Sequence, residues 1–243
     1  AALPYANASI HIGHIVEYVE ADVAARFLRL IGENVLFVCA SDTHGTPIEV
    51  NAQKLGVKPE ELVAKFNSEH KKDFQDFWVS FDDFYTTHSP ENMELSELFF
   101  NTLNKKGFIT KKPIDVMYCS KCDRSLPDRY VRGTCPNCGT ADQYGDVCES
   151  CGMTHKGTDL LDPKCSICSS VPKRKQSEHY FFMLSKFSDK LRKWIDGNKN
   201  LQDEVKHHIY GWLDKGLEDW CISRDGPYFG FLIPGEKNKY FYV

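Results

Sequence analysis

Ala1-Ala2-Leu3-Pro4-Tyr5-Ala6-Asn7-Ala8-Ser9-Ile10-His11-Ile12-Gly13-His14 reads as the end of a strand, a turn punctuated by Pro4 and Asn7, and the opening of a helix. Val16, Val19, Val23, Phe27 and Leu30 then recur at helical spacing and predict one inward face, with Gly32 as the stop. Val35 to Val38 is apolar without alternation, which predicts a strand over 34–40 covered on both faces, as in a parallel sheet. Beyond the turn at 41–46, Pro47 opens a helix ending near Gly56, and Pro59 a longer one carrying Leu62, Phe66, Phe74, Phe77 and Trp78. Ser89 and Pro90 begin a third, its expected face Leu95, Leu98, Phe99 and Leu103 and its end Gly107. Strand and helix in alternation predict an α/β fold, the first half of a Rossmann-like doubly wound parallel sheet.

From 107 to 171 the texture changes to short apolar segments between Cys, Gly, Pro and Asp, too poor in large side chains to build a core unaided. Eight of the ten cysteines fall into four C-x-x-C pairs: Cys119/Cys122, Cys135/Cys138, Cys148/Cys151 and Cys165/Cys168. Tandem pairs of this spacing fit metal knuckles, not a redox site, which uses a single pair at a helix start. Eight thiolates make two four-sulfur structural Zn2+ sites with no open position. The connector from Gly139 to Val147 is the shortest, which favours a nested pairing, Cys135, Cys138, Cys148 and Cys151 on one ion and Cys119, Cys122, Cys165 and Cys168 on the other, over a sequential one by only about 0.6 kcal/mol per doubling of loop length. Cys39 and Cys221 are left as unreactive residues. Helices are expected over 185–195 and 201–213, and the start of a strand over 240–243.

The net charge of −4 excludes a globally basic nucleic-acid binder and leaves only local patches. Lys105, Lys106, Lys111 and Lys112, with Lys173, Arg174 and Lys175, are candidates for phosphate contact, a solvated face being the alternative. No apolar run approaches the roughly 20 residues of a bilayer span and no basic-then-apolar leader opens the chain. A cytoplasmic protein with no membrane partner is expected.

His11 and His14 stand at a helix start, where unpaired N–H groups and a partial positive charge suit an anion, and an imidazole donates a hydrogen bond whether neutral or charged. Gly13 between them permits close approach to the backbone. Asp42 follows the apolar strand directly, at the carboxyl end of the sheet, where it suits an ammonium group.

His11-Ile12-Gly13-His14 resembles the "HIGH" signature of class I aminoacyl-tRNA synthetases. With 2–7, 42–47, 126–129 and 222–225, the resemblance narrows to the methionyl-tRNA synthetases over nearly the whole chain. It implies attack of the carboxylate of L-methionine on the α-phosphate of Mg2+-bound ATP, loss of pyrophosphate, and transfer to the 3′ end of tRNA(Met). It implies that His11, Gly13 and His14 serve ATP, that Asp42 faces the methionine ammonium, and that Leu3, Tyr5 and Trp220 line the side-chain pocket, with Trp220 as a core aromatic the competing reading. Arg224 is expected to pair with Asp42. The implied organisation is 1–106 as the first half of the catalytic domain, 107–222 as a connective-peptide insertion with zinc knuckles over 119–168, and 223–243 as the return. The family's Lys-Met-Ser-Lys-Ser loop and anticodon-binding domain are not in these 243 residues, so this stretch alone is expected to be weakly active or inactive.

Overall fold

A computed structural model describes residues 1–242. It forms two compact units, Ala1–Glu94 with Tyr228–Phe231, and Leu95–Pro227 with Leu232–Tyr242. Among the described residues no helix is long and apolar enough to cross a membrane.

The first unit is α/β. Helix α1 (Ile12–Leu30) leads to strand β1 (Val38–Ser41), helices α2 (Thr46–Leu55) and α3 (Pro59–Asp76), and strand β2 (Asp83–Thr86). β1 and β2 run parallel, Val38 opposite Asp83 and Ser41 opposite Thr86. The opening segment adds a third parallel partner: the Asp42 N–H donates to the Pro4 carbonyl and the Ala6 N–H to the Asp42 carbonyl, both at 2.8 Å. Helical crossovers between neighbouring parallel strands are the doubly wound pattern expected. One core cluster joins Ile15, Tyr18, Ala25, Phe37, Cys39, Phe74, Val79 and Phe84, and a second joins Ala6, Ile48, Ala52, Leu62, Val63, Phe66 and Phe229. α3 serves both, and each buried Phe contributes roughly 1.5–3 kcal/mol.

The structure corrects four of the expected faces. α1 turns Ile15, Tyr18, Asp22 and Ala25 inward, while Val16, Val19, Val23, Phe27 and Leu30 are exposed, Leu30 by 85%. Asp22 hides the true face from an apolar count: its buried carboxylate accepts the Ser80 N–H at 2.7 Å and pairs with Arg26 at 2.6 Å. β1 alternates after all, with Cys39 and Ser41 buried and Val38 48% exposed, and the residues leading into it continue the pattern, Phe37 buried and Leu36 exposed. α3 ends before Phe77 and Trp78, both exposed, and the next helix, α4 (Pro90–Lys105), buries Phe100 and exposes Leu95, Leu98 and Phe99. The stops stand where expected, Gly32 at φ 91 and Gly56 at φ 69.

The second unit is mainly antiparallel. A long hairpin pairs β3 (Ile109–Cys119) with the later β8 (Lys173–Phe182), from Ile109 opposite Phe182 to Tyr118 opposite Lys173. Between them lie β4 (Arg124–Leu126), β5 (Val131–Thr134), β6 (Gln143–Tyr144) and β7 (Leu161–Cys165). Helices α5 (Ser188–Gly197) and α6 (Asp203–Lys215) follow, then β9 (Trp220–Cys221), β10 (Ser223–Asp225) and β11 (Lys239–Phe241). The sheets are ordered β4-β3-β8-β9, β6-β5-β7 and β10-β11. Pro113 is tolerated because β3 bonds β4 only over 117–119 and needs no second partner at Pro113. α5 and α6 match the expected helices, and the expected last strand is present as β11, Val243 lying outside the described residues.

Candidate functional site

The helix start is built by its own histidines. His11 is the N-cap of α1: its Nδ1 accepts the Gly13 N–H at 3.1 Å, and the His14 Nδ1 accepts the His11 N–H at 3.1 Å. The rings lie 3.9 Å apart. Burial first, then His11 and His70, hold His14 below the usual imidazole range. A Cβ on Gly13 would meet the His11 ring at 3.0 Å, so glycine here lets the cap close. The segment before it is bolted from behind: His70, fully buried on α3, reaches the Ala8 carbonyl with Nε2 at 2.8 Å, and Asn51 donates to the Asn7 carbonyl at 2.6 Å.

Asp42 sits at the carboxyl end of β1, bridged to Tyr5. Its carboxylate accepts the His44 N–H, while burial pushes its pKa up. Desolvation of that kind favours a cationic partner. The Tyr5 hydroxyl donates to the His44 carbonyl at 2.8 Å, and burial, then the Asp42 charge, raise its pKa. Gly45 has φ 118, and a Cβ there would lie 2.5 Å from the Tyr5 oxygen, so only glycine fits the turn. Leu3 is partly exposed beside this loop. Sequence reasoning missed the loop's other support, Thr87 and His88 after β2: the Thr43 N–H donates to Thr87 Oγ1 at 2.9 Å, and His44 Nε2 meets His88 Nδ1 at 2.8 Å. The polar run Thr86-Thr87-His88-Ser89 directly behind a strand was the available signal.

Trp220 and Arg224 belong to the second unit. Trp220 is exposed, against the reading of a core aromatic. Arg224 donates to the Ser223 carbonyl at 3.0 Å and lies over the Tyr242 ring at 3.7 Å. Lys111 and Lys112 are held by acids of their own unit, Glu236 at 3.0 Å and Asp219 at 2.5 Å.

The cysteines form two clusters, Cys119, Cys122, Cys165 and Cys168, and Cys135, Cys138, Cys148 and Cys151, each with its sulfurs within 4.8 Å of one another. This is the nested arrangement. Sulfur separations are 3.4 Å for Cys119 and Cys168, 4.0 Å for Cys122 and Cys165, 3.9 Å for Cys135 and Cys151, and 3.6 Å for Cys138 and Cys148. Tetrahedral zinc with bonds of about 2.3 Å needs about 3.8 Å, so the donor sets fit. The Thr140 and Ser170 hydroxyls, 3.2 and 3.0 Å from Cys138 and Cys168, help lower those thiols to about 6. Burial pushes Cys122 to about 12 and Cys148 to about 11, a cost that a divalent cation offsets.

The family model described as tRNA synthetases class I (M) matches residues 1–243. The chain is 52% identical over 242 residues to a methionine–tRNA ligase of Myxococcus xanthus, covering 100% of this chain and 34% of that protein. It is 50% identical to one of Acidithiobacillus ferrooxidans, covering 100% and 36% respectively. It thus spans about a third of the length of these relatives. A structure of the Mycobacterium tuberculosis methionyl-tRNA synthetase in complex with methionyl-adenylate has the same fold, with a TM-score of 0.73 and 22% identity over 99% of this chain and 43% of that one.

Proposed function

The chain belongs to the class I (M) tRNA synthetases, and we propose on that premise that the complete protein is a methionine–tRNA ligase. It activates L-methionine with ATP and passes the aminoacyl group to tRNA(Met). The observation that carries this reading is the half-buried Asp42 carboxylate at the end of a parallel strand, beside Tyr5 and in the same unit as a helix entrance built of His11, Gly13 and His14.

A methionine carboxylate oxygen attacks the α-phosphorus of ATP, the bond to the pyrophosphate oxygen breaks, and a mixed anhydride with AMP forms. A ribose hydroxyl at the tRNA 3′ end then attacks the carbonyl carbon, AMP leaves, and the hydroxyl proton passes to solvent. No protein nucleophile is needed; positioning and charge stabilisation carry the rate. His11, Gly13 and His14 hold the phosphates by hydrogen bonds, and Asp42 takes the methionine ammonium in a dehydrated site. Leu3 and Tyr5 contact the side chain, and the family resemblance assigns Trp220 and Arg224 to methionine as well. Mg2+ enters with ATP as substrate. Zn2+ in the two four-sulfur clusters supplies folding energy. Residues 1–106 and 223–243 are the catalytic part, 107–222 the insertion, which guides the tRNA end, and the protein works in the cytoplasm.

ATP–pyrophosphate exchange by the complete protein with a panel of amino acids tests the reading. Exchange is expected with methionine and not with leucine, isoleucine, valine or cysteine. Exchange driven by another amino acid, or by none, overturns it.

A further inference from the structure

We propose that Thr87 and the buried His44–His88 pair are positioning residues that aim the Asp42 carboxylate at its ammonium ligand. This rests on the methionine-activating reading above. The path is short and continuous. Asp42 stands between Ser41 and Thr43 and two residues before His44, so the direction of its carboxylate depends on where that backbone is held. On one side the His44 carbonyl is tied to Tyr5 at 2.8 Å. On the other, the loop after β1 is zipped to the loop after β2. The Thr87 N–H donates to the Ser41 carbonyl at 3.0 Å, the Thr43 N–H to Thr87 Oγ1 at 2.9 Å, the two threonine hydroxyls share a hydrogen bond at 2.8 Å, and the imidazoles of His44 and His88 meet at 2.8 Å. The Asn92 amide donates to the Thr87 carbonyl at 2.7 Å and so fixes the second loop to the start of α4.

The zip is dry. Ser41 and Thr43 are fully buried and His44 nearly so, and the two imidazoles pack on Phe229 and Phe231, the His88 ring stacked on Phe231 at 5.3 Å. Burial, then His88, lowers His44 to about 4, so the pair is a neutral N–H to N hydrogen bond near pH 7. A buried N–H left without its acceptor is costly, so the loop has one low-energy arrangement while the zip is intact. The link toward the helix entrance runs through the Ser41 hydroxyl to His70 at 3.4 Å and not through the side chains of Thr87, His44 or His88, which is why the effect of changing these belongs to the amino acid and not to ATP.

The test is exchange kinetics of the complete protein, with KM for methionine and KM for ATP measured separately. Thr87→Val and His88→Leu remove the hydrogen-bonding partners of Thr43 and His44, whereas Thr87→Ser keeps the hydroxyl and His88→Asn places an amide atom where Nδ1 stood. The first two are expected to raise the methionine KM by about 5- to 50-fold, the range set by an unpaired buried group, and to leave the ATP KM within about twofold; the conservative pair restores methionine KM to within about threefold. An unchanged methionine KM, equal rises in both constants, or no rescue by serine and asparagine overturns the proposal. His88→Gln, milder than leucine but with its amide displaced, is expected to exceed His88→Asn in methionine KM, and equal values count against the zip. Asp42→Ala in the same series separates the two failures. If it leaves methionine KM unchanged, the underlying function falls; if it raises KM while Thr87 and His88 variants do not, only the positioning role falls.

Discussion

The Asp42 loop and the cysteine knuckles are both irregular stretches that must keep one shape, and they are held by opposite means. The loop hangs between parallel strands and helices with their own apolar core, fixed by neutral hydrogen bonds from Tyr5, Thr87 and His88. The knuckles have strands as short as Gln143–Tyr144, and their shape depends on two four-sulfur clusters. Rigidity from a cation is concentrated in a few ligands and fails all at once; rigidity from hydrogen bonds is spread over many groups and fails by degrees.

With the two clusters loaded with zinc as proposed, chelation is the sharpest way to break that contrast, because structural zinc sites supply about 10 kcal/mol or more each. Chelation is expected to unfold 119–168 and leave 1–94 folded, read as hydrogen exchange that becomes fast only in the second unit. Loss of protection in both together would show that the two means are not separate. Within the knuckles, Cys119→Ser with Cys122→Ser should keep one four-sulfur ion on the inner cluster and weaken the outer, as metal analysis and cobalt spectra report.

Asp42→Ala should cost about 2–5 kcal/mol of methionine recognition, the scale of a desolvated charge losing its partner, while metal content stays unchanged. Isothermal titration of the complete protein measures the first and metal analysis the second.

A smaller effect comes from the charge cluster of the second unit, where His179 Nε2 lies 3.4 Å from Asp225, which also binds Lys239. Burial alone would lower His179, but Asp225 and Cys221 outweigh it and raise the imidazole to about 9. Its stabilisation is therefore complete below about pH 6.5, the ordinary imidazole value, and is lost as pH rises through about 9, a change on the order of 3 kcal/mol. Asp225 is opposed by burial but held low by His179 and Lys239, and its contribution is present above its ordinary value and lost in acid. Thermal unfolding should show the second unit weakening between pH 7 and 10, and His179→Gln should flatten that slope. The smallest effect expected is Gly13→Ala, which crowds the His11 ring and should cost about 1 kcal/mol at the helix cap, seen as a modest rise in ATP KM.

What was legible in the sequence follows the same division. Metal ligands carry their geometry in spacing, so the four pairs from Cys119 to Cys168 were legible as ligands, while connector lengths favoured the nested pairing over the sequential one only slightly. The helix entrance was legible for a similar reason, since His11, Gly13 and His14 lie within one turn. The Thr87 and His88 supports were not, because a hydrogen-bonded zip between residues some 44 apart leaves no periodic trace. The inward face of α1 was misread because apolar residues run on two sides and the buried one carries Asp22, which an apolar count discards although Ser80 and Arg26 satisfy it. β1 was misread because a run of apolar residues says nothing of which face a helix covers.

The cap of α1 has a consequence for protons. A ring that accepts an N–H at Nδ1 must carry its own hydrogen on Nε2, so His11 and His14 are each confined to one tautomer and each presents one N–H to the helix entrance. Adding a second proton would put it on Nδ1, where the Gly13 and His11 amides already point, and the turn would lose its cap. The entrance therefore offers an oxyanion two oriented donors, and His14, held below the usual imidazole range, keeps its share of that arrangement to lower pH than a free imidazole would.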